Sequence, residues 1–266
     1  MFSDLLATLT TRLSPPLRAL GYLDETLAMR KRARQNREAW QPHLDNTRRF
    51  VLASGQKCRD RGTVVILGSG LLLDVPLAEL SGMFREVVLM DVVCLPEVRK
   101  RIRAYRNVTF REYDATTLAE RLYQNGLRGV MALPEPGSLA APYEDAGLVV
   151  SLNILSQLWV VPRAFVGRNL RGILPEQAGD WCSRIVEAHC AMLRTLASDV
   201  CLVADHAFVT RDRGGNVISR GSTVYDLALR APDASWTWNI VPPGTGEVSK
   251  ELIVGAWHLH NGSGRT

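Results

Sequence analysis

From residue 63 onward, many apolar positions of this chain fall in short runs of strand length, separated by stretches with room for helices. Thr63–Leu67, Val87–Met90, Val108–Tyr113, Gly147–Leu152 and Val200–Val209 are rich in Val, Leu and Ile, as strands buried on both faces of a parallel sheet require. The segments between them have room for helices, which the pattern predicts at Leu73–Ser81, Pro96–Tyr105, Thr117–Gln124, Leu155–Val166 and Gly179–Ala197. In the last of these, Trp181, Ile185, Ala188, Met192 and Leu196 fall close to one face. Alternation of apolar and polar residues returns in Ser235–Val241 and Glu251–Trp257, with PPGTGE between them as a turn, which predicts an antiparallel hairpin. The expected class is α/β, with a doubly wound, mostly parallel sheet ended by that hairpin.

The first sixty residues are different in kind. Phe2, Leu5, Leu6, Leu9 and Leu13 lie at helical spacing before Pro15-Pro16 stops the run. A second helical stretch is expected from Leu23 to Ala39, a break at Pro42, and a third helix from Leu44 to about Lys57. The chain therefore divides into an N-terminal helical cap, residues 1–60, and an α/β domain, residues 61–266. The final NGSGRT is expected to be frayed.

Composition narrows the class without naming an activity. A chain that is 46% hydrophobic and 22% charged has the balance of a folded domain and excludes disorder. The net charge of +5 is uneven: residues 1–62 hold 12 Lys+Arg against 6 Asp+Glu, leaving 20 against 21 for the remainder. The excess belongs to the helical cap, where the run MRKRARQNREAW reads as a solvated face without the interleaved aromatics of a nucleic-acid surface. Five cysteines, with no C-x-x-C pair, suggest neither a disulfide framework nor a zinc site. Asp4 sits in an N-terminus without a long apolar core, and no run approaches the ~18 apolar residues of a membrane span. A cytoplasmic chain with no membrane or nucleic-acid partner is expected, and a homodimer is left open.

The most informative segment is TVVILGSGLLLDVPLAEL, in which a buried strand runs into Gly68-Ser69-Gly70 and then a helix. Glycines here allow a sharp turn and let a ligand approach the backbone. The next strand ends in Asp91, placed to accept hydrogen bonds from ribose hydroxyls, and the third, NVTFREYDAT, ends in Asp114. Taken singly, the G-x-G is a tight turn and each aspartate a helix cap. A full dinucleotide fingerprint would need glycine where Leu73 stands.

In this order of signals the chain resembles the class I S-adenosylmethionine-dependent methyltransferase superfamily, over about residues 60–260. The resemblance implies a Rossmann-like seven-stranded sheet with S-adenosylmethionine as cofactor. It places the methionine part of that cofactor against Gly68, Ser69 and Gly70, the ribose on Asp91 and the adenine on Asp114. Two departures stand out: Ile66 where the family usually carries an acid, and Leu72 where it carries a third glycine. The GSG-L form without that acid is similar to the nicotianamine synthase group, which transfers an aminobutyl group from the same cofactor.

Ligands of open parallel sheets sit at the carboxyl ends of the strands. Asn153 and Gln157 after the fourth strand should therefore face the site, and the resemblance puts Asn153 beside the cofactor and Gln157 beside the acceptor; the other reading of Asn153 is a cap on the next helix. After the fifth strand, His206 could act as a general base with Asp205 as a second polar contact, unless the hairpin-like RDRGGNVISR makes His206 a strand residue. Trp40, in the cap, is expected to line an acceptor pocket. No serine-hydrolase elbow, P-loop or metalloprotease helix is present, and His258 with His260 lacks the partners of a metal site. The reading is methyl transfer to a small-molecule or carrier-bound metabolite. Its alternatives are a catalytically inactive binding or scaffold protein and an aminobutyl transferase.

Overall fold

The computed structural model describes residues 2–130, 132–137, 145–170 and 172–260; the NGSGRT tail lies outside them. The five apolar runs form β1 (Thr63–Leu67), β2 (Glu86–Asp91), β3 (Val108–Glu112), β4 (Leu148–Leu152) and β5 (Asp199–Asp212), all parallel. After β6 (Val217–Ser222) come β7 (Ala234–Val241) and β8 (Val248–His260). The order across the sheet is β3-β2-β1-β4-β5-β8-β7, with β6 paired to β5. The hairpin is as expected, with β8 antiparallel to both β5 and β7. Among the described residues the strands number eight and not seven: RDRGGNVISR carries β5 onward and turns it back as β6, an exposed strand that no burial pattern announces.

Both faces of the parallel sheet are covered, and alternate residues of one strand feed different cores. Val65 and Leu67 pack with Trp181, Ile185 and Leu193, whereas Val64 and Ile66 pack with Leu89, Val51 and Trp40. Helices α7 (Ala119–Arg128), α8 (Val160–Asn169) and α9 (Pro175–Thr195) contribute to the first core, and α5 (Leu77–Met83) and α6 (Pro96–Ile102) to the second. Helix α8 begins at Val160, five residues later than the pattern predicts, because Ile154–Trp159 is a turn over the sheet edge.

The N-terminal segment folds as α1 (Phe2–Thr10), α2 (Pro15–Leu20), α3 (Tyr22–Gln35) and α4 (Arg37–Lys57). The expected break at Pro42 does not occur: the chain breaks at Asn36, and Pro42 lies inside α4. An interior proline costs a helix about 3 kcal/mol. Here it is offset by one face of α4 that buries Trp40, His43, Thr47, Val51 and Ser54 against β7 and the second core. The Arg-rich run is not wholly solvated either. Lys31, Arg34 and Arg37 are exposed, but Arg30 is buried on Glu97 of α6 at 2.7 Å.

The sheet is uneven at its carboxyl edge. β4 accompanies β5 only over Asp199–Val203, yet β5 continues to Asp212 and β8 runs beside it throughout. The antiparallel strands thus overhang the carboxyl edge of the parallel ones and stand as a wall beside it.

Candidate active site

The turn after β1 is built by its two glycines for different reasons. Gly68 has φ +83, and a Cβ there would lie 2.1 Å from Ile154 Cγ2 and 2.8 Å from the Leu152 carbonyl, so the loop leaving β4 crosses it too closely for any side chain. Gly70, at φ +47, has nothing within 4 Å of where its Cβ would stand, and it faces the cavity. Leu72 keeps a glycine-like φ of +59. That conformation costs a leucine about 1–2 kcal/mol, a cost offset by the ~1.5–3 kcal/mol of burying its side chain, which is 1% exposed.

Asp91 at the tip of β2 ties this turn in place. Its carboxylate accepts from Gly70 N–H at 2.7 Å and from Val92 N–H at 2.7 Å. Burial raises its pKa in spite of these donors. Asp114, after β3, accepts from Thr116 N–H and Oγ–H and from Ala119 N–H, which caps the start of α7. Tyr22 of α3 closes over Asp114, and burial together with that carboxylate holds its hydroxyl well above the usual range.

These groups border one cavity of about 760 Å³ at the carboxyl ends of the parallel strands. Its far side is the overhanging wall, on which Trp238, Leu252 and Phe208 lie side by side across β7, β8 and β5, with Lys250 two residues before Leu252 on β8. Trp40 and His43 of α4 complete that side. Trp40 meets Trp238 edge to face at 5.1 Å and donates to the Ile240 carbonyl; His43 stacks on Trp238 at 4.0 Å.

A polar chain links the two ends. Asn153, at φ +52 after β4, donates through Nδ2 to Asp74 Oδ2 at 2.7 Å and lies 3.5 Å from His43 Nε2. Trp236 Nε1–H donates to His43 Nδ1 at 3.0 Å. Burial raises the Asp74 carboxyl and pushes His43 down to about 3. Neither His43 nor Asp74 stands out in the sequence, although Trp40, His43 and Thr47 recur at the spacing of one helix face.

Of the residues expected at a site, Gly68, Gly70, Asp91, Asp114, Asn153, Gln157, Trp40 and Asp205 all border this cavity. Ser69 does not: its side chain is buried in the turn, with Oγ unpartnered among the described residues. His206 does not either. A register shift between Asp205 and Ala207 makes it a strand residue outside the lining, its ring 6.1 Å from that of Trp257. Asp205 stays inside, accepting from Ser156 Oγ–H at 2.6 Å. His258 faces Ser54 and Phe50, and no metal-holding cluster of His, Cys, Asp or Glu occurs among the described residues. No helix there is long and apolar enough to cross a membrane.

A glycine turn after β1, acids at the tips of β2 and β3 and a strand order closed by an antiparallel pair define a Rossmann-like, doubly wound fold with its cavity at the carboxyl edge. No protein-family model matches the chain, and no curated protein matches it significantly in sequence. Among solved structures it is similar to DhpI in complex with SAM and HEP, at 15% identity and a TM-score of 0.41, covering 91% of this chain and 99% of that one. It is also similar to Burkholderia thailandensis 1,6-didemethyltoxoflavin-N1-methyltransferase with bound 1,6-didemethyltoxoflavin and S-adenosylhomocysteine, at 14% identity and 0.41, covering 92% of each chain. A SAM-dependent methyltransferase from Leishmania major matches at 11% and 0.35, over 80% of this chain and 71% of that one. Enzymes named for tRNA and rRNA are matched as well.

Proposed function

We propose that this chain binds S-adenosylmethionine and methylates a small molecule held between the cofactor and the overhanging wall. The observation that carries the reading is the convergence on one cavity of the open backbone at Gly70, the Asp91 carboxylate tied to it, and Asp114 at the next strand tip. In this reading Gly68 and Gly70 border the methionine part, Asp91 takes the ribose hydroxyls and Asp114 the adenine edge. When bound, the cofactor supplies an electrophilic methyl group on a positively charged sulfur.

The residues present fit such a group. Ile66, in place of the family's acid, is wholly buried in the core, but Asp74 brings a carboxylate to the same cavity from the same loop. Burial drives that acid toward its neutral form, and a nearby cation would offset the penalty. The Asn153 Oδ1 and Tyr113 hydroxyl oxygens, on residues bordering the cavity, are buried without a partner among the described residues, which leaves hydrogen-bonding capacity for a ligand.

Calorimetric titration of S-adenosylmethionine and S-adenosylhomocysteine tests this. The expected result is binding to the wild type that weakens at least tenfold in Asp91→Ala. No heat with the wild type overturns the reading, and unchanged binding in the variant overturns the site. With Asp74→Asn, S-adenosylhomocysteine should weaken while methylthioadenosine, which lacks the amino-acid part, should not. Once an acceptor is in hand, S-adenosylhomocysteine as product distinguishes methyl transfer from aminobutyl transfer, which leaves methylthioadenosine.

A further inference from the structure

The wall facing the proposed cofactor site has a hydrogen-bonding sign. The indole of Trp236 can only donate, so His43 Nδ1, which receives it at 3.0 Å, is an acceptor. In the neutral imidazole the proton then sits on Nε2. Nε2 faces the Asn153 amide nitrogen at 3.5 Å, and that nitrogen is turned toward the Asp74 carboxylate as a donor. Two donors face each other there, and the Nε2–H is left without an acceptor. Beside it, Trp238 Nε1–H is buried and unpartnered among the described residues. Lys250 Nζ lies 4.8 Å from the centre of the Phe208 ring and makes no ion pair among the described residues. Asp205, whose carboxyl feels the Lys250 charge, accepts its hydrogen bond from Ser156 Oγ–H and makes no ion pair with the lysine.

On the wall itself, His43 Nε2–H, Trp238 Nε1–H and Lys250 are donors, and one of them is a cation; the acceptor beside them is Asn153 Oδ1. The rings of Trp40, Trp238 and Phe208, with Leu252, give the wall an apolar surface rich in aromatic rings. We infer that the wall binds a small flat molecule bearing an oxyanion, the anion held by Lys250 with Trp238 Nε1–H and His43 Nε2–H, and the apolar body against the tryptophans. The inference rests on the proposed function in taking this molecule as the acceptor. It also removes His43 from consideration as a base in that tautomer: the acceptor reaches the wall already ionised.

The test compares two isosteres, 2-naphthoate and 2-naphthamide, by quenching of tryptophan fluorescence, with and without S-adenosylhomocysteine. The wild type should bind the carboxylate at least tenfold more tightly than the amide. Lys250→Met should abolish that preference, Lys250→Arg should keep most of it, and Trp238→Phe should weaken the carboxylate severalfold. Equal binding of the two probes, binding of neither, or a preference that survives Lys250→Met overturns the inference. If S-adenosylhomocysteine gives no heat in a parallel titration while the carboxylate preference holds, the cofactor reading fails and the wall stands.

Discussion

Trp236 holds His43 by its Nδ1 at 3.0 Å while Trp238 stacks flat on the same imidazole at 4.0 Å, so two indoles of one strand fix both the plane and the tautomer of a histidine from α4. Nitrogen-15 spectra of the labelled protein, assigned with His43→Gln, should therefore show a neutral His43 protonated on Nε2 across pH 5–8. Trp236→Phe removes the donor and should let the Nδ1-protonated form appear. A wild-type ring that titrates near 6.5, or that carries its proton on Nδ1, contradicts the arrangement.

The two turn glycines should respond differently to one added methyl group. Gly70→Ala meets open space and a left-handed φ, so its cost in urea unfolding should be about 1–2 kcal/mol. The methyl projects toward the cavity, so S-adenosylhomocysteine binding should fall at least tenfold. Gly68→Ala drives a Cβ into Ile154 and the Leu152 carbonyl. It should cost roughly 2–4 kcal/mol, as overpacking and a strained φ combine.

Asn153 combines a left-handed backbone, φ +52, with the hydrogen bond to Asp74. Asn153→Ala loses both advantages, whereas Asn153→Gly keeps the backbone conformation. The glycine variant should be more stable than the alanine variant by about 1 kcal/mol. Both should fall below the wild type by roughly 1–3 kcal/mol, because Asp74 is left without its buried donor. Urea midpoints of the three proteins check the order.

Acid should destabilise the protein through its buried histidines. Burial pushes His43 down to about 3 and His189 to about 4, while the unfolded chain takes up those protons near 6.5. Their contribution is intact above pH 6.5 and is lost as pH falls toward 4, by at most about 1.4 kcal/mol per pH unit for each. Asp74, Asp91 and Asp205 act in the opposite sense, because burial raises their folded pKa and protonation on acidification favours the folded state. His189→Gln, which can still meet Ser151, should flatten the fall in urea stability between pH 6.5 and 5. An unchanged slope would contradict the buried neutral assignment.

The inner parallel strands were legible because two-faced burial forces an apolar run: β1 forms at Thr63–Leu67, the residues its composition marks. The turn after it, with Asp91 and Asp114, was legible for the same reason, since strand ends locate strand tips. What stayed hidden depends on registers and long contacts. β6 is exposed along its whole length and carries no burial signal. One extra residue at the β5 bulge sends His206 out of the lining while Asp205 and Phe208 remain in it, and nothing local encodes that slip. His43 becomes notable only when β7, nearly two hundred residues away, lays two tryptophans on it.

The overhang of β5 and β8 beyond the parallel edge has a consequence for how such a site can diversify. Its cavity-facing wall is hydrogen-bonded sheet, with backbone positions set by a ladder that continues down into the core. Exchanging Trp238, Lys250 or Phe208 would change the chemistry presented to a ligand while the ladder keeps its spacing. The fold therefore offers a recolourable panel, in which new ligand preferences need single side-chain replacements and no rebuilt loop.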